Sequence, residues 1–300
     1  MKKKTYLFAL MAMVLTLGSC SDNENGIGGE TSKYITVSTS IGNMTRVATD
    51  ANGGQTFEEG DEISVYAWTG APTVAPETSE RVVNNAINKL TNGSWISTPQ
   101  MLWKNNREKH YFIGVYPTAA ISDLSAGEYT FNANKQTESD LLVAVNPDGL
   151  SYSADAQQTV PLTFTHVMSK LAVNLTYKNQ WGGIPTVEKV VVGNAAKEAT
   201  INYLTKVVTP STTAKEDFSL PEITENTKYV SVIIPQEDVK QLTIVIGGKN
   251  FVYDNGTPFK LESGKITTVN LEVGRDEIKL GDVKITDWED GSTFSGEAIN

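Results

Sequence analysis

Period-two alternation of apolar and polar residues, broken by turn formers at roughly 8–12-residue spacing, runs through most of this 300-residue chain. Ile35, Val37, Thr39 and Ile41 fall on one face of an extended strand, with Thr36, Ser38 and Ser40 on the other. Ile63, Val65 and Ala67 alternate in the same way, as do Phe112 and Gly114 against Tyr111, Ile113 and Val115. Further runs cover residues 171–175, 187–192, 229–234 and 242–246, then Val269, Leu271 and Val273. Thr, Val and Ile together make up 80 residues, more than a quarter of the chain. Such β-branched enrichment favours pleated sheet over helix. One helical stretch is expected, over residues 80–90, where Val82, Val83, Ala86, Ile87 and Leu90 recur at helical spacing. Asn92-Gly93 and Asn255-Gly256 are hairpin signals, because both residue types tolerate positive φ. The second is expected to join residues 251–253 to 259–261. No repeat of 20–50 residues is evident, which disfavours a solenoid or propeller.

The fold class predicted is therefore all-β. So many strands exceed one seven-stranded sandwich, so two tandem β-sandwich domains of transthyretin- or Ig-like type are expected. The polar stretch 146–158 supplies the division. The expected layout is a signal at 1–19, a tether at 20–33, a first domain at 34–156 and a second at 157–300.

Twenty-five Lys plus Arg against 35 Asp plus Glu give a formal charge of −10, which argues against nucleic acid as a partner. One Cys excludes an intramolecular disulfide framework, and two His leave little for a metal or for imidazole chemistry. No cofactor and no metal are expected. His110 and His166 both sit at strand edges without Asp, Cys or His at mechanistic spacing, so hydrogen-bonding roles are expected for them. Asp287, Glu289 and Asp290 read as a solvated acidic turn rather than a glycosidase carboxylate pair. They also miss the calcium-loop pattern. Nucleophile elbows and phosphate loops are absent, and the chain is not expected to be an enzyme. The five Trp are expected mainly in the core; Trp181, beside Gly182-Gly183, is the candidate for stacking on a sugar.

The N-terminus carries Lys2-Lys3-Lys4, an apolar run from Tyr6 to Leu17, then Gly18-Ser19-Cys20. A basic start, a short apolar stretch and small residues describe a secretory signal, too short to span a bilayer. The residues before Cys20 resemble a bacterial lipobox. That resemblance implies cleavage before Cys20 and diacylation of its thiol, an anchor to the outer membrane. Loss of residues 1–19 removes three Lys and no acid, taking the charge from −10 to −13. Residues 21–33 are polar and Gly-rich, as a flexible tether requires.

Taken in order, the lipobox, Met44-Thr45-Arg46 after the first strand, and residues 57–65 resemble the fimbrillin family, the type V pilins of anaerobic gut and oral bacteria. Residues 139–144, 160–173 and 285–291 match further family segments, so the resemblance spans residues 20–291. It implies export to the outer membrane as a lipoprotein, cleavage by an Arg-specific protease between Arg46 and Val47, and incorporation into a surface fimbrium. Its partners would be other pilin subunits, with a host protein or glycan as adhesion ligand. The strand carrying Ile35, Val37, Thr39 and Ile41 lies wholly upstream of Arg46, so cleavage would excise it. A sandwich short of one strand exposes an apolar groove that an extended segment from another subunit can fill. Head-to-tail filling of this kind builds filaments. The donor segment is left open. Ile278 and Leu280 alternate, Gly281-Asp282 interrupts, and Val283 and Ile285 resume out of phase, as a bulge would allow. Residues 292–300 are a poor donor, so a tip or accessory role is expected. The competing reading is a monomeric surface lipoprotein that binds carbohydrate.

Overall fold

A computed structural model describes residues 33–42, 57–153, 158–254 and 256–288. They form nineteen strands, one four-residue α-helix and two three-residue 3-10 helices. A seven-stranded sheet runs in the order β1 (Thr36–Ile41), β8 (Thr159–His166), β7 (Leu142–Leu150), β5 (His110–Tyr116), β2 (Glu62–Thr69), β3 (Val83–Thr91) and β4 (Ser94–Thr98). A five-stranded sheet holds β14 (Glu222–Thr224), β15 (Lys228–Ile233), β9 (Ser169–Tyr177), β18 (Lys265–Val273) and β19 (Ile278–Asp287). Opposite it, four strands run β13 (Lys215–Ser219), β10 (Val187–Ala196), β16 (Gln241–Ile246) and β17 (Lys249–Asp254). A small sheet joins β12 (Val207–Pro210) and β11 (Glu198–Asn202) to β6 (Gly127–Thr130).

The all-β class follows the alternation in the sequence, and the two-sided burial of the seven-stranded sheet explains where alternation fails. In β2, six consecutive residues from Ile63 to Trp68 are buried. Ile63, Val65 and Ala67 point into one core with Phe112, Ala144, Leu162 and Phe164. Tyr66 and Trp68 point into a second, larger core with Ile113, Val115 and Val143, which continues through Leu171, Val190 and Ile244. A strand covered on both faces reads as a continuous apolar run. That larger core draws on residues from both sides of position 157. The strand that follows this position, β8, hydrogen-bonds to β7 and β1, and β6 pairs with β11.

Two local expectations change. Residues 83–91 are strand, not helix: Ala86 pairs with Val65 but Val83 pairs with Ala67, so β3 advances three residues while β2 advances two. This bulge, with Asn85 at φ 57°, gives buried Val83 and Ala86 the three-residue spacing of a helix. The hairpin at Asn92-Gly93 forms as expected, joining β3 to β4. The one expected at Asn255-Gly256 does not. Instead Gly247 and Gly248, at φ 57° and 71°, make the two-residue connection from β16 to β17, and Leu261 pairs with Gln236. Asn255 itself lies outside the described residues.

Tight packing in the smaller core yields the first test. Gly114 lies under Phe164, where an added Cβ would sit 2.6 Å from Cζ and 3.1 Å from the Leu162 Cδ1. Gly114→Ala is expected to cost about 1–3 kcal/mol in chemical denaturation, as overpacked cores do.

Candidate functional site

The first strand occupies an unusual seat. It is an edge strand, its partner is parallel, and it arrives from the start of the chain to pair with residues more than a hundred positions later: Thr36 opposite Thr159, Val37 opposite Val160, Thr39 opposite Leu162 and Ile41 opposite Phe164. Gly42 N–H extends the ladder to the Phe164 carbonyl at 2.7 Å. On the solvent face the hydroxyls of Thr36 and Ser40 meet those of Thr159 and Thr163, each at 3.2 Å. Facing inward, Ile35 and Val37 are buried, and Thr39 and Ile41 are half-buried.

The seven-stranded sheet curls until its two edges meet at this strand. Trp95 Nε1 of β4 donates to Thr39 Oγ1 at 3.0 Å. Just beyond β4, the Met101 carbonyl accepts from Ile35 N–H at 2.9 Å, and Trp103 N–H donates to the Lys33 carbonyl at 3.2 Å. Met101 and Trp103 join Ile35, Val37, Val160, Leu162 and Phe164 in the smaller core. Phe57 closes one end, its ring edge-on to Trp95, Tyr116 and Phe164 at 5.1–5.4 Å. β1 is thus the seam of the curled sheet. Burial of Ile35 and Val37 stabilises it by roughly 1.5–3 kcal/mol each. Without β1, the backbone edge of β8 and the apolar groups behind it would face water. Trp95, Met101, Trp103 and Phe57 were not legible as seam residues in the sequence; the Asn92-Gly93 turn places β4 but not what β4 meets.

His110 orders the same wall. Its Nε2 accepts from Lys104 N–H at 3.0 Å, and its Nδ1 lies 3.2 Å from the Glu108 carbonyl, while its ring stands edge-on to Trp103 at 5.0 Å. Burial pushes its pKa below the ordinary 6.5, partly offset by the Glu108 carbonyl. His166, at the end of β8, places Nδ1 2.8 Å from the Asp140 carboxylate.

Among the other strands that end a sheet, β19 is the one that carries an alternating apolar row read from the sequence. Its pairing with β18 sets Ile278 opposite Val273 and Leu280 opposite Leu271, then, after a register shift at Gly281, Val283 opposite Val269 and Ile285 opposite Thr267. The bulge read from the sequence therefore puts all four apolar side chains on one face. Leu280, Val283 and Ile285 remain 36–40% exposed there.

Other candidates are engaged elsewhere. Trp181 Nε1 donates to the Val273 carbonyl at 3.0 Å, while Phe251 and the Arg275 guanidinium lie against its ring. Asp287 pairs with Lys265. Cys20, Arg46, Val47, Glu289 and Asp290 lie outside the described residues. Among the described residues no cluster of His, Cys, Asp and Glu could hold a metal, and no helix is long and apolar enough to cross a membrane.

A model of fimbrillin-like proteins matches residues 45–288, from just after β1 to Trp288. The chain belongs to the fimbrillin-like family. Its fold is shared with putative cell adhesion proteins of Bacteroides uniformis (19% identity, TM-score 0.64, covering 86% of this chain and 100% of that one) and Bacteroides ovatus (18%, 0.63, 85% and 98%). A fimbrial protein of Bacteroides vulgatus is also similar (13%, 0.52, 84% and 99%). No curated protein sequence matches the chain. Membership places this fimbrillin-like protein among fimbrial proteins of the cell surface, not among enzymes.

Two outcomes follow for the seam. Ile35→Ala is expected to lower stability by about 2–5 kcal/mol, whereas Ser38→Ala on the outer face stays within about 0.5 kcal/mol, both read by denaturant titration. A His with a depressed folded pKa adds stability that is fully present above its unfolded value and lost as pH falls toward the folded one. Wild-type stability should thus drop below about pH 6.5, and His110→Gln should flatten that part of the profile.

Proposed function

We propose that this protein is a structural or adhesive subunit of a surface fimbria, exported as a lipoprotein on Cys20, processed between Arg46 and Val47, and assembled by strand exchange at the seam. The observation that carries this reading is the seat of β1. It closes an apolar core, yet its covalent link to the rest of the chain passes entirely through residues 42–57, which include Arg46. One cut there turns a built-in strand into a separate ribbon held by a ladder and a few side chains.

Strand exchange needs a donor with one apolar face and a free edge, and β19 has both. Ile278, Leu280, Val283 and Ile285 form a row comparable to Ile35, Val37, Thr39 and Ile41. Backbone pairing to β8 would give affinity, and the pockets left by Ile35 and Val37 would set register. Donor and groove lie on different strands of one chain, so the contact is heterologous and adds subunits without closing. The proposed partners are other pilin subunits, with the lipid on Cys20 holding the unprocessed chain at the outer membrane.

The test is to treat the mature chain with an Arg-specific protease. Four Arg are present, of which Arg81 is buried and Arg107 and Arg275 are exposed, so the Arg46→Ala variant isolates the bond in question. The wild type is expected to yield a new N-terminus at Val47 and to form multimers, with R46A remaining monomeric. A cleaved chain that has lost β1 yet stays a stable monomer would refute the reading.

A further inference from the structure

β19 is held unevenly. Along its length the inward side chains remain partly exposed, but the next residue, Trp288, is 2% exposed. Its N–H donates to the Gly264 carbonyl at 3.0 Å, and Gly264 N–H donates to the Met168 carbonyl at 2.8 Å. The indole lies flat on the His166 imidazole, with centroids 4.0 Å and planes 7° apart, and Lys170 Nζ stands 4.3 Å from the indole centroid. The anchor of β19 is therefore not confined to its neighbour β18. It includes the last residue of β8, whose orientation Asp140 fixes through the 2.8 Å contact to Nδ1.

That placement matters because β8 is the strand that β1 covers. Ladder contacts from β1 run up to Phe164, two residues before His166. We propose that Trp288 seated on His166 is a latch: it keeps β19 docked on its own subunit, and loss of β1 from β8 loosens it. Trp288 and His166 are positioning residues in this scheme. An intact subunit keeps its donor strand folded down, and a processed subunit becomes ready to donate as well as to accept. The regulatory part of this inference rests on the strand-exchange reading above; the latch itself does not.

Hydrogen exchange followed by mass spectrometry on the full mature chain separates the two. Peptides covering 278–287 are expected to exchange at least tenfold faster in Trp288→Ala and in His166→Gln, with residues 169–177 unchanged. His166→Gln keeps a donor for Asp140 but removes the flat ring, so it carries the test if Trp288→Ala fails to fold. Unchanged protection of 278–287 in folded His166→Gln overturns the latch. Wild-type protein freed of β1 by the Arg-specific protease is expected to show the same acceleration; β19 still protected after loss of β1 overturns the coupling. If the variants free β19 but cleaved protein never associates, the latch stands and the strand-exchange reading falls.

Discussion

One strand borrowed from the start of the chain closes the interior of the seven-stranded sheet, and the rest of the first core is arranged around that fact. β1 pairs with β8 on one side and reaches the Met101 and Trp103 backbone on the other, so both edges of a curled sheet are satisfied by a single ribbon. An open edge exposes unpaired N–H and C=O groups as well as apolar side chains. Here one segment, residues 33–42, covers both, which concentrates the stability of the seam in a segment tied to the body by one loop. Ordinary β-sandwich proteins protect their edges permanently. In the processing proposed above, one cut between Arg46 and Val47 would make that protection removable.

Two of the sheet-end strands, β1 and β19, differ in a way that suits the opposite roles proposed for them. Ile35, just before β1, and Val37 within it are buried against a covered wall, so their seat is a groove. β19 presents its apolar row partly to water, pairs along its whole length with β18, and is followed by Trp288, which stacks on His166. Because His166 ends the strand that β1 covers, the seat of β1 and the end of β19 meet through one strand rather than lying at unrelated places.

Much of this was legible in the sequence. Alternation located β1, β9, β16 and β18, and the break at Gly281-Asp282 signalled the bulge that keeps the β19 apolar residues on one face. What misled was bulges elsewhere. In β3 the extra residue around Asn85 turns a two-residue repeat into a three-residue one, and a strand reads as a helix. Asn255-Gly256 has the chemistry of a hairpin turn, but residues 259–261 find their hydrogen bonds at Gln236 and Val239. Turn propensity is local, whereas strand pairing is decided by what else needs covering. For the same reason the strand could be inferred but not the residues it meets: nothing near residues 34–41 announces Trp95, Met101 or Phe164 as neighbours.

The central claim is that β1 must leave β8 before subunits join. Ser40 and Thr163 are register partners whose hydroxyls lie 3.2 Å apart, and Cys20 is the one natural cysteine, so a Ser40→Cys, Thr163→Cys pair in a Cys20→Ser background can staple the two strands. The decisive measurement is light scattering of this protein after Arg-specific cleavage, oxidised and then reduced. Monomers while the staple is closed, and growth on adding reductant, are the expected result. Association at the same rate and extent in both states would contradict the account.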